Sequence, residues 1–80
     1  SLQMKNKPIY TILNEGGYIE IDNTADVTFV YLFDITGKQV SMQKGNKNNQ
    51  MQINTVGLMQ GIYLLYIDNG YMPQTIKFVK

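Results

Sequence analysis

Apolar positions along this chain fall in short runs with a period of two, interrupted by clusters of Gly, Asn and Asp. That period marks strands, because successive side chains on an extended backbone point to opposite faces. Ile9–Leu13 reads as a first strand, Asn14-Glu15-Gly16-Gly17 as a turn, and Tyr18–Ile21 as a second strand. After a loop at Asp22–Asp26, the third strand, Val27–Asp34, is apolar at Val27, Phe29, Tyr31 and Phe33 and also at Val30 and Leu32. Apolar residues on both faces place it centrally, covered on each side. Asp34-Ile35-Thr36-Gly37 fits a type I turn, with Asp accepting from the backbone and Gly in the left-handed position.

Lys38–Gln43 returns as a fourth strand with Val40 and Met42 on one face. Lys44–Asn49 is a polar excursion. Gln50–Asn54 is a fifth strand, Met51 and Ile53 on one side and Gln on the other. Gly57 and the alternation argue against a helix between Gln50 and Gly61. Ile62–Asp68, entered through Gly61, is a sixth strand apolar on both faces. Asn69-Gly70 matches a type I′ hairpin, whose two central residues take positive φ. Gln74–Val79 is the seventh strand, its start limited by Pro73.

Seven short strands with frequent turns and no repeat of fixed period predict an all-β fold, a small seven-stranded antiparallel immunoglobulin-like β-sandwich. Eighty residues hold one core. A chain this short buries only about 60% of its unfolded surface, so it is either economical or reliant on a neighbour. Residues 1–8, polar and closed by Pro8, read as a linker from an upstream protein, and residues 9–80 as the domain. A start at Ser1 in place of Met suggests a piece of a longer polypeptide. No stretch of the sequence reads as a signal peptide or as the ~20-residue apolar run that spans a bilayer, so any export signal is expected upstream of Ser1.

Composition narrows the function. Charged residues are 16%, against about 25% in an ordinary soluble domain, and eight Asn and seven Gln fill the gap. Seven Lys, no Arg and six acids give a net charge of +1. The one local basic cluster, Lys44 and Lys47, is too small for a nucleic-acid footprint. With no Cys there is no disulfide and no thiolate zinc site. With no His, and Ser only at Ser1 and Ser41, the chain lacks a paired nucleophile and base, so no catalytic residue is assigned. No glycine lies in a phosphate-cradling loop, so no cofactor or small-molecule substrate is expected. Asp22, Asn23 and Asp26 offer oxygen ligands, but without an EF-hand pattern they read as a solvated turn, and no metal is expected. The six tyrosines read mainly as strand-packing residues, a binding platform being the lesser reading. Tyr63 and Tyr66 point to opposite faces and cannot share one platform.

Three motifs carry a family resemblance. Val30-Tyr31-Leu32-Phe33-Asp34-Ile35-Thr36-Gly37-Lys38-Gln39-Val40 is followed by Leu58-x-x-Gly61-Ile62-Tyr63, and then by Thr75-Ile76-Lys77-Phe78-Val79-Lys80. In order and spacing they resemble the C-terminal sorting domain of type IX secretion cargo. The likeness runs from about Ile9 to Lys80. An Asn-Pro element usual in that family is represented here by Asn14 followed by Glu15. The resemblance implies a non-catalytic sandwich attached to a larger exported protein of the Bacteroidetes group, with no cofactor. Its partners would be the outer-membrane secretion machinery and the upstream domains of its parent. It would pass through the periplasm to the cell surface or the medium. The positions matching family motifs, and so the expected recognition residues, are Asp34, Gly37, Lys38, Gly61, Tyr63, Lys77 and Lys80. Two other readings remain open: an accessory adhesion or carbohydrate-binding module of a surface enzyme, and a passive cap that stabilises its neighbour.

Overall fold

The computed structural model describes residues 7–80, which form seven antiparallel strands in two sheets, with no helix among the described residues. Strands β1 (Ile12–Asn14), β2 (Tyr18–Asp22) and β5 (Gln50–Asn54) make a three-stranded sheet in the order β1-β2-β5. Strands β3 (Phe29–Asp34), β4 (Gln39–Lys44), β6 (Ile62–Asp68) and β7 (Gln74–Val79) make a four-stranded sheet in the order β4-β3-β6-β7. The chain changes sheet after β2, β4 and β5. This is the all-β two-sheet fold expected, and the crossovers are compatible with an immunoglobulin-like order. Of the linker read over residues 1–8, all but Lys7 and Pro8 lie outside the described residues. The Pro8 carbonyl accepts a hydrogen bond from the Gln74 side chain at the start of β7.

The core lies between the sheets and follows the period-two pattern. Ile19 and Ile21 of β2 and Met51 and Ile53 of β5 face Val30 and Leu32 of β3 and Leu65 and Ile67 of β6, all fully buried. Tyr63 and Phe78 close one end, with ring centroids 6.1 Å apart. Each such burial contributes about 1.5–3 kcal/mol, while ordering each residue's backbone costs about 1–2 kcal/mol. A core of this size therefore leaves a small margin.

β3 starts at Phe29 and β4 at Gln39, two residues and one residue later than expected, and four further expectations need correction. The first strand is only Ile12–Asn14, and Ile9 and Tyr10 lie outside it. Thr11 still accepts from the Asp22 amide, but the chain then turns at Asn23, whose φ is 70°. The Asn23 side chain donates to the Ile9 carbonyl where a ladder bond would otherwise fall. In β4 the register shifts, so that Ser41 lies opposite Leu32 and Gln39 opposite Phe33. Val40 is the extra residue of this bulge and packs on the core, whereas Met42 lies opposite Tyr31 on the outer face. The two do not share a face.

The β6–β7 connection is not a type I′ turn. Gly70 has φ 84°, but Asn69 does not have positive φ. Residues 69–73 form a wider loop organised by the buried Asn69 side chain. It accepts from the Tyr71 and Met72 amides and donates to the Met72 carbonyl and the Tyr10 hydroxyl. Finally, β3 and β6 are central in their sheet but covered on one face only. Phe29, Tyr31, Phe33 and Tyr66 point away from the core and are half-buried, chiefly against one another. A domain of two layers has an outside to each sheet, whatever residues stand there.

Candidate functional site

Antiparallel pairing gathers most of the motif positions at one end of the four-stranded sheet. Asp34, the last residue of β3, lies opposite Tyr63, the second of β6, and Val79, the last of β7, lies opposite Ile62. The β3–β4 turn, the entry to β6 and the exit from β7 are therefore neighbours, although 46 positions separate Asp34 from Lys80.

The turn is built on the Asp34 carboxylate. Its Oδ1 accepts from the Thr36 amide at 2.9 Å, the Thr36 hydroxyl at 2.5 Å and the Lys38 amide at 3.0 Å. The Gly37 amide donates to the Asp34 carbonyl, and Gly37 has φ 90°, a left-handed conformation that a side chain disfavours. The Thr36 hydroxyl, then the backbone amides of Lys38 and Thr36 and the Lys38 charge, hold the Asp34 carboxyl below the usual aspartate range, against a smaller opposing effect of desolvation.

Tyr63 is buried, and its hydroxyl donates to the Met59 carbonyl at 2.6 Å, pinning the turn that precedes β6. Gly61, with φ 157°, exchanges two backbone hydrogen bonds with Lys80, extending the β6–β7 ladder by one pair. The Lys80 ammonium then folds over the 55–58 loop and donates to the carbonyls of Thr55, Val56 and Leu58. Three carbonyl dipoles around an ammonium compensate its partial burial. Asn14 joins the same end from the other sheet, its side chain donating to the Val79 carbonyl at 3.1 Å.

The seven expected recognition residues thus divide by environment. Asp34, Gly37, Gly61, Tyr63 and Lys80 hold the sheet end together. Lys38 is exposed at the turn, and Lys77 is exposed on the outer face opposite Leu64. Sequence reasoning missed the three-carbonyl seat of Lys80, which leaves no trace in residue order. It also missed the openness of the outer face, although the two-faced apolar pattern of β3 and β6 carried that signal.

The remaining candidates are local structure. Asp22 accepts from the Gln50 side chain, and the Asn23 amide is engaged as described. No group of three or more His, Cys, Asp or Glu among the described residues is placed to hold a metal ion. An open depression of about 380 Å³ at the far end is lined by Pro8, Tyr10, Asn23, Asp26 and Tyr71, with none of the motif residues. No curated relative matches the chain. Residues 14–80 match the secretion system C-terminal sorting domain, and the chain belongs to that family, the type IX sorting domains that its three motifs resemble.

Proposed function

We propose that residues 9–80 are a folded sorting module that directs a larger exported polypeptide through the outer membrane to the cell surface. In this reading residues 1–8 join it to the upstream protein, and it passes through the periplasm in transit. The observation that carries the proposal is the family match over residues 14–80, which supports a secretion sorting role. In this reading the module does no chemistry of its own, in keeping with a sorting-signal family that is not known to be catalytic.

Asp34, Gly37, Gly61, Tyr63 and Lys80 serve recognition indirectly, by fixing the shape of one sheet end. Lys38 and Lys77 serve it directly, as exposed charges. What the machinery reads is then a surface, not an extended peptide. The test is fusion of residues 1–80 to a periplasmic reporter in a host with type IX secretion. Reporter outside the cell is the expected result; reporter that stays periplasmic ends the proposal.

A further inference from the structure

The outward faces of the two sheets differ in kind. On the three-stranded sheet the outward positions of β2 and β5 are Tyr18, Glu20, Asp22, Gln50, Gln52 and Asn54, an ordinary solvated pattern. On the four-stranded sheet, Met42, Tyr31 and Tyr66 form one row and Phe33 and Leu64 the next, with Phe29 beyond. Strands about 4.8 Å apart and residues about 3.3 Å apart make this face on the order of 400 Å². Its apolar part falls within the size of the largest patch on a typical monomer, about 300–600 Å², a patch that is often functional.

Charge is divided the same way. Glu15, Glu20 and Asp22 belong to the three-stranded layer, whereas the four-stranded one carries Lys38, Lys44, Lys77 and Lys80 against only Asp34 and Asp68. Lys44 and Lys77 stand on the apolar face itself, beside Phe29 and Leu64. The acid there, Asp68, accepts from the Gly70 amide. In a symmetric pair of copies, joined face to face, Lys44 and Lys77 of both copies would share one small interface with only the two Asp68 carboxylates to offset them. Such a pair would also bury only about 800 Å² in total, below the ~1,200 Å² of stable interfaces.

We infer that this outer face is where the domain docks on the secretion machinery, against a protein surface with an apolar centre and carboxylates at its rim. The inference rests on the sorting role proposed above and names the surface through which it acts. A small aromatic centre with lysines beside it suits brief, repeated docking better than permanent assembly.

The test uses the same reporter fusion. Lys44→Glu/Lys77→Glu reverses the margin without touching the core, and Leu64→Ser weakens the centre. Circular dichroism and thermal melting of each purified chain verify folding. Glu20→Lys/Gln52→Lys is the matched change on the opposite face. The expected result is at least a fivefold loss of external reporter for the double lysine variant, with the opposite-face variant within twofold of the parent. Should Leu64→Ser fail to fold, the double lysine variant still decides. Unchanged export of the folded double lysine variant overturns the inference while leaving the sorting role standing. A parent fusion that stays periplasmic overturns both. A stable dimer of the parent by sedimentation, lost in Leu64→Ser, would give the face to a second copy and overturn the docking inference alone.

Discussion

A Cβ atom added at Gly45 would lie 1.8 Å from the Val27 carbonyl oxygen and 2.8 Å from its carbon. Backbone cannot yield as a flexible side chain would, and the Gly45 amide is already bonded to the Thr28 carbonyl at 2.7 Å. Gly45→Ala is therefore expected to destabilise the domain by about 1–3 kcal/mol, as overpacking generally does. Gly57→Ala, where a Cβ meets nothing within 4 Å, should stay within about 0.5 kcal/mol. Urea titration of the two variants checks the contrast. Asp34 makes a second prediction at this scale. Its folded carboxyl titrates below its unfolded value, so its contribution to stability is fully present above pH ~4. That contribution is lost as pH falls through the folded value. The Thr36 and Lys38 amide resonances should shift with one acid midpoint below ~3.9, and Asp34→Asn should abolish that shift.

Among the elements, strands were the most legible part of the sequence. β5, β6 and β7 stand at the expected residues, and β2 runs one residue further, because alternation and flanking turn residues agree with the final burial pattern. Where sequence reading erred, a long-range or side-chain partner decided the outcome. Asn23 ends the pairing of β1 early, the bulge at Val40 separates it from Met42, and Asn69 bonds into its own loop instead of taking the hairpin conformation. The family-motif positions were legible as residues, but the register that brings Asp34 beside Tyr63 was not. The Lys80 seat is testable at this scale. Lys80→Met keeps the apolar stem but removes the three hydrogen bonds, and should cost about 1–3 kcal/mol. Hydrogen exchange should quicken at the amides of Leu58 and Gly61, while β2 and β5 stay protected.

For the whole molecule, adjacent residues of β6 offer a sharp comparison. Leu65 is fully buried between the sheets, and Leu64 is 38% exposed on the outer face. Leu65→Ala should cost about 2–5 kcal/mol, a large fraction of the ~5–15 kcal/mol available to a small domain. Leu64→Ala should cost under about 1 kcal/mol, and denaturant midpoints read both. An apolar count along the chain assigns both residues to a core. Only the number of layers tells them apart, and for that reason the outer face was the least legible feature in the sequence. The uneven placement of charge has a consequence before any contact is made. It gives the molecule an electric dipole across its thickness, with its positive pole on the aromatic side. Stacked sheets are about 10 Å apart, close to the screening length of ~8 Å in physiological salt. An anionic body approaching the aromatic side would thus meet Lys44 and Lys77 before the acids of the other layer, which favours encounter on that side.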